Sequence, residues 1–181
     1  MEKKTMKRTT VWMTAAAAVL VALPLQAQKQ EDLDKAAEAK ASMLENDPGM
    51  ADWFNDSYAY AIFPNVGKAG FGIGGAHGNG TMFRGGAPVG KTELKQVTIG
   101  FQVGGQSFIE IIFFKDKIAF DDFTRENFEF GAEASAVAFT AEASAKLAYN
   151  GGVAIVTMAK GGLMYAASVG GQKFEYEAFG N

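Results

Sequence analysis

Gly85-Gly86-Ala87-Pro88-Val89-Gly90-Lys91-Thr92 spells the phosphate-binding loop pattern letter for letter, and the residues that follow it decide the fold. Such a loop must open a long helix whose N-terminal amides face the phosphates. Here Glu93-Leu94-Lys95-Gln96 runs at once into Val97-Thr98-Ile99-Gly100, which alternates like a strand. The stretch therefore reads as a Gly-Pro-rich hairpin, and no nucleotide is expected as a ligand. Gly70-Phe71-Gly72-Ile73-Gly74-Gly75 has the GxGxxG spacing of a dinucleotide site, but Ala76-His77-Gly78-Asn79-Gly80 leads into strand-like Thr81-Met82-Phe83, so no helix opens there either.

Working outward, the Gly-rich, period-two pattern continues on both sides. Strands are expected at Gly67 to Gly74, Thr81 to Arg84, Val97 to Val103 and Phe108 to Phe114, then at Gly152 to Lys160, Leu163 to Val169 and Lys173 to Ala178. Phe128 to Lys146 is rich in Ala, yet Phe128, Phe130, Ala132, Ala134, Ala136 and Ala138 share one face at period two, which favours strand. Ala119 to Asn127 reads as a short helix with Phe120 and Phe123 inward. At the N-terminal end, Glu31 to Asn46 is a helix with Leu33, Ala37, Ala41 and Leu44 on its apolar stripe, ended by Asp47-Pro48-Gly49. A second helix from Met50 to about Tyr60 would turn Met50, Trp53, Phe54 and Tyr58 toward the core. The expected fold class is mainly β (α+β), a single curled or barrel-like antiparallel sheet with N-terminal helices and one short internal helix.

Composition sets the wider limits. The chain has 181 residues, 48% of them hydrophobic and 20% charged, enough apolar material for the core of one domain. It has no Cys, which removes disulfides, thiolate catalysis and cysteine-bound metals. Lys3, Lys4, Lys7 and Arg8 precede the apolar run Val11 to Leu25, and Pro24 with Ala27 marks a cleavage edge: a signal peptide over residues 1–27, with a mature N-terminus at Gln28. The remainder divides into a helical segment over 28–56 and a Gly-rich β domain over 57–181. Export, to the periplasm or beyond, follows from the leader, with membrane association left open.

Loss of four basic residues and one acid with the leader takes the net charge from −3 to −6. Residues 28–56 carry −5 and residues 110–181 carry −4, whereas 57–109 carry +3 through Lys68, Arg84, Lys91 and Lys95 against Glu93. An acidic chain is a poor nonspecific partner for nucleic acid, so an anion site must be local and come from these four cations. Folding could bring all four onto one rim, a convergence that the sequence does not show. No GxSxG, HExxH or EF-hand spacing occurs, so no enzyme, metal or cofactor is assigned. Glu110 interrupts the apolar run Phe108 to Phe114, and a structural ion pair is its expected role; His77, the sole histidine, reads as a loop or strand residue with a satisfied hydrogen bond. An outer-membrane barrel fits less well, because Phe179 is followed by Gly180-Asn181 and Ile111 to Phe114 lacks alternation.

Ala61-Ile62-Phe63-Pro64-Asn65-Val66-Gly67-Lys68-Ala69-Gly70-Phe71-Gly72-Ile73-Gly74-Gly75 resembles the opening signature of the SYLF domain family. Gly100 to Gln106, Phe130 to Ser135 and Ala159 to Tyr165 extend the resemblance over about residues 57–177. The chain departs from the pattern in lacking a Trp ahead of Gly100 and in carrying Met164-Tyr165 where a Phe is common. The resemblance implies a lipid-binding module, with actin association confined to some eukaryotic members. The amphipathic helix credited with membrane contact in those relatives is acidic here, over Glu31 to Asn46, and an anionic bilayer should repel it. The expected partner is therefore an anionic phospholipid or membrane surface, met through Lys68, Arg84, Lys91 and Lys95. A structural or protein-interaction role in the envelope is the alternative, with no protein partner identified.

Overall fold

From Ala59 to Gly100 and from Gly105 to Phe114 the backbone is extended almost throughout. The computed structural model describes residues 10–100, 105–126, 128–131, 134–160 and 169–180, apart from the side chains of 10–25, 70–73 and 98–100. Strand β1 (Ala59–Arg84) turns through Gly85 and Gly86 into β2 (Ala87–Gly100), followed by β3 (Gly105–Phe114). Both turn glycines have positive φ, 57° and 79°, as a two-residue hairpin turn matched to strand twist requires. The phosphate-loop look-alike is thus a hairpin. The second half of β1 pairs antiparallel with β2, from Gly72↔Gly100 to Arg84↔Ala87. Its first half pairs with β3, from Ala59↔Phe114 to Ala69↔Gly105. Register shifts between Phe63 and Val66, around Pro64, which cannot donate to the ladder.

The rest of the sheet is laid on this long hairpin. Strand β6 (Val153–Ala159) pairs with β3, and β7 (Gln172–Ala178) with β2. Short β4 (Phe128–Glu129) extends β7, and β5 (Val137–Ala138) runs parallel to β6. The order is β4-β7-β2-β1-β3-β6-β5 in one open, strongly curled sheet, as the fold expectation had it. Two expected strands, Thr81 to Arg84 and Gly67 to Gly74, are parts of one continuous β1. Strand over all of Phe128 to Lys146 is corrected: among the described residues of this stretch only β4 and β5 are strands, and helix α4 (Ala143–Lys146) ends the segment. The strand expected from Leu163 lies, as far as Ser168, outside the described residues, and so do residues 101–104 between β2 and β3.

Curling gives the sheet a concave and a convex core. Phe63, Phe108, Phe114, Phe123 and Phe174 fill the concave side, with Met82 and Leu94. On the convex side Tyr60, Ile62, Ile109, Ile111 and Phe113 are covered by helix α1 (Thr10–Asn46) and helix α2 (Met50–Asp56). The two arms of β1 meet closely where side chains are missing. A Cβ on Gly80 would sit 2.7 Å from the Phe63 ring and 2.9 Å from the Ile62 carbonyl oxygen, so only glycine fits without displacement.

The helices differ from expectation in their faces and ends. Helix α1 buries Ala36, Ala39 and Met43, while Ala37 and Ala41 are exposed, so the apolar stripe is rotated from the one read off the sequence. The reason is that Ala on a helix surface needs no burial, and the bulkier Met43 sets the buried side. Helix α2 stops at Asp56 because Ala59 and Tyr60 already belong to β1. Helix α3 (Lys117–Phe123) begins at Asp116, whose side chain accepts a hydrogen bond from the Ala119 amide at 3.0 Å, and it buries Phe120 and Phe123 as expected. Among the described residues no helix is long and apolar enough to cross a membrane.

Candidate functional site

Alternation along β2 turns Thr92, Leu94 and Gln96 into the concavity and leaves Lys91 and Lys95 outside, with Glu93 between them partly exposed. Pairing with β7 then brings acids to both lysines. Lys91 Nζ lies 2.9 Å from Glu177 Oε2, and Lys95 Nζ lies 2.9 Å from Glu175 Oε1 and 3.3 Å from Glu93 Oε2. Hydrogen bonds to Glu175 and then Glu93 raise the Lys95 ammonium above its ordinary value. His77, exposed on β1, approaches Glu93 Oε1 at 3.4 Å, and Lys173 approaches Glu129 Oε2 at 3.5 Å. This outer face is a network of paired Lys and Glu side chains. Residues of α1 overhang it, with Gln28 and Asp32 walling an open groove of about 440 Å³ against Asn79, Lys91 and Glu177.

Lys68 and Arg84 are placed differently. Lys68 stands half-buried on the first arm of β1, in register with Gln106, and has no carboxylate partner among the described residues. Arg84 closes the hairpin end, with its guanidinium carbon 5.8 Å from the centre of the Phe120 ring and no ion pair among the described residues. Phe120 belongs to the concave core, so Arg84 points to the opposite side from Lys91 and Lys95. The structure thus brings Lys91 and Lys95 together and leaves Lys68 and Arg84 as separate cations without a carboxylate partner among the described residues.

Glu110 is fully buried on the concave side of β3, in register with Phe63 of β1 and Thr157 of β6. The expected ion pair is overturned. No basic side chain reaches it among the described residues; Gln172 of β7 donates instead, Nε2 to Oε2 at 3.0 Å. Burial pushes the Glu110 carboxyl up to about 7, with the Gln172 hydrogen bond opposing the rise. Its other oxygen, Oε1, has no partner among the described residues, nor do Thr157 Oγ1 and Gln172 Oε1 beside it. Sequence reasoning missed Gln172 and Thr157, because curling of the sheet brings them to Glu110 and no local pattern marks them. Among the described residues no three potential metal-ligating side chains cluster.

Residues 95–178 match the family described as Ysc84, Las17-binding protein actin regulator. That span includes three of the four segments carrying the SYLF resemblance, which it bears out. Over 135 residues the chain is 29% identical to the Beta cell expansion factor A of Aeromonas veronii, across 73% of this chain and 51% of that protein. The chain thus spans about half the length of this curated relative.

Proposed function

We propose, because the chain belongs to the SYLF (Ysc84) family, that it works as a non-enzymatic binding module of the cell envelope, contacting anionic phospholipid headgroups. Family membership carries the proposal, since this is a family of binding modules in which lipid and actin are the partners. Export by the leader would leave lipid as the partner within reach. The four candidate cations contribute unequally. A phosphate must displace Glu177 from Lys91, and Glu175 with Glu93 from Lys95, whereas Lys68 and Arg84 have no carboxylate to exchange among the described residues. Each unpaired cation at an anionic surface is worth about 1 kcal/mol, roughly fivefold in affinity.

The test is a set of variants titrated with anionic vesicles at low salt. Replacing Lys68 and Arg84 by Ala lowers vesicle affinity by about 30-fold, and the same change at Lys91 and Lys95 lowers it less. Replacing all four abolishes binding, while replacing Lys146 and Lys160 leaves it unchanged. If the quadruple variant binds like the parent, headgroup contact through these residues is wrong. The neutralised lattice of Lys91, Lys95 and Lys173 with Glu177, Glu175 and Glu129 favours the second possibility, a structural or protein-interaction role, which then takes its place.

A further inference from the structure

The chain contains Asn-Gly twice, at Asn79-Gly80 and at Asn150-Gly151. In this dipeptide the glycine nitrogen can attack the asparagine side-chain carbonyl, because glycine has no Cβ to shield it. Both asparagines are exposed, so access to water does not separate them. Their backbones do. Asn79 and Gly80 lie inside the long ladder of β1 on β2, in register with Glu93 and Thr92. Closing a ring at Asn79 requires rotating the chain out of that ladder, and Gly80 is buried with no room for a Cβ between it and the Phe63 ring. Asn150 instead stands before β6, at the start of a two-residue turn through Gly151 and Gly152, whose φ values are 59° and 85°. Two hydrogen bonds close this turn, from the Asn150 amide to the Val153 carbonyl at 2.8 Å and from the Val153 amide to the Asn150 carbonyl at 3.1 Å. They form an isolated bridge rather than part of a ladder. The Gly151 amide and the Asn150 side chain have no hydrogen-bond partner among the described residues. Nucleophile and carbonyl are thus both free, and an exposed turn opens at far lower cost than the interior of a ladder.

We propose that Asn150 is a site of spontaneous deamidation and that the fold protects Asn79 from the same reaction. The Gly151 nitrogen loses its proton to solvent base and forms a bond to Asn150 Cγ. The Cγ–Nδ2 bond breaks, and the amide nitrogen takes a proton from water and leaves as ammonia, giving a succinimide. Water then opens the ring at either carbonyl, which leaves aspartate or isoaspartate. Water is the only co-reactant. Each event adds one negative charge to the wall of a cavity of about 210 Å³ between β4 and β6, which Asn150 and Gly151 line together with Asp122 and Glu129. Among the described residues no Lys, Arg or His lines that wall. Isoaspartate also routes the main chain through the former side chain, one carbon longer, just ahead of the start of β6 at Val153.

The reaction needs neither lipid nor the four candidate cations, so its test stands apart from headgroup binding. The full chain is incubated folded at pH 7.5 and 37 °C, and in parallel unfolded in guanidinium chloride. Peptide mapping by mass spectrometry follows the gain of one mass unit at each asparagine, and labelling by isoaspartyl methyltransferase reports isoaspartate. In the folded chain Asn150 is expected to convert at least about tenfold faster than Asn79, the ladder holding Asn79 closed. In guanidinium chloride the two should convert at similar rates, because the dipeptide is the same and the fold no longer separates them. Asn150→Gln should remove nearly all of the isoaspartate label from the folded chain. Asn79 keeping pace with Asn150 in the folded chain, an Asn150 that converts only after unfolding, or undiminished label in Asn150→Gln overturns the proposal.

Discussion

Replacing Glu110 by Gln is expected to stabilise the folded chain by about 3 kcal/mol at pH 8 and to change nothing at pH 4. The carboxyl is pushed up to about 7 in the folded state by burial, against an ordinary value of 4.5 when the chain is unfolded. Below 4.5 both states hold the proton and pH has no leverage through this group. Between 4.5 and 7 the unfolded chain releases its proton while the folded chain keeps it, so the parent loses stability as pH rises. Above 7 the loss is complete, because both states have then released the proton and the folded one carries a buried charge with no counter-ion among the described residues. Glutamine never ionises. Its oxygen can still accept from Gln172 Nε2, and its amide can donate to Thr157 Oγ1. Urea unfolding of both proteins at pH 4 and pH 8 measures the difference, and a parent that gains on the variant as pH rises would reverse the assignment.

Phe174→Ala is expected to cost about 3 to 5 kcal/mol, a large part of the roughly 5 to 15 kcal/mol that holds a typical domain together. Phe174 is fully buried on β7 and meets four other rings among the described residues, with centroids at 4.8 Å for Phe123, 5.1 Å for Phe130, 5.8 Å for Phe63 and 6.2 Å for Phe128. These rings come from β1, α3, β4 and the segment after it, so one truncation opens a void among elements that close the concave core. Phe174→Leu should recover part of the loss. Val97, 78% exposed, serves as the comparison, since Val97→Ala should shift stability by no more than about 0.5 kcal/mol. Denaturant midpoints of the three variants check the order; a Phe174→Ala protein as stable as Val97→Ala would mean that the core does not close on this ring.

Local patterns were readable where side chains alternate. In β2, Lys91, Thr92, Glu93, Leu94, Lys95 and Gln96 alternate outward and inward, so the strand, its faces and the shared side of Lys91 and Lys95 could be read directly. Glycine hides the same information. Through Gly67 to Gly80 the missing side chains obscured that the two strands expected there are one continuous β1. Alanine had a similar effect, since Phe128 to Lys146 supports either period and only tertiary packing selects irregular chain with a terminal turn of helix. The charge partners were illegible for another reason. Glu175 and Glu177 reach Lys95 and Lys91 through the register of β7 on β2, about eighty residues apart in sequence, and Gln172 reaches Glu110 only across the curl of the sheet. A pattern confined to a few residues cannot encode either meeting.

Cosedimentation of the parent chain with vesicles bears on headgroup binding without any mutation. Vesicles of phosphatidylcholine alone are compared with vesicles containing phosphatidylglycerol, each at low and at high salt. Local cations acting within a screening length of about 10 Å predict binding to the anionic vesicles at low salt, release as salt rises, and no binding to phosphatidylcholine at either salt. Equal sedimentation with both lipids, or none with phosphatidylglycerol at low salt, would contradict headgroup recognition by Lys68, Arg84, Lys91 and Lys95.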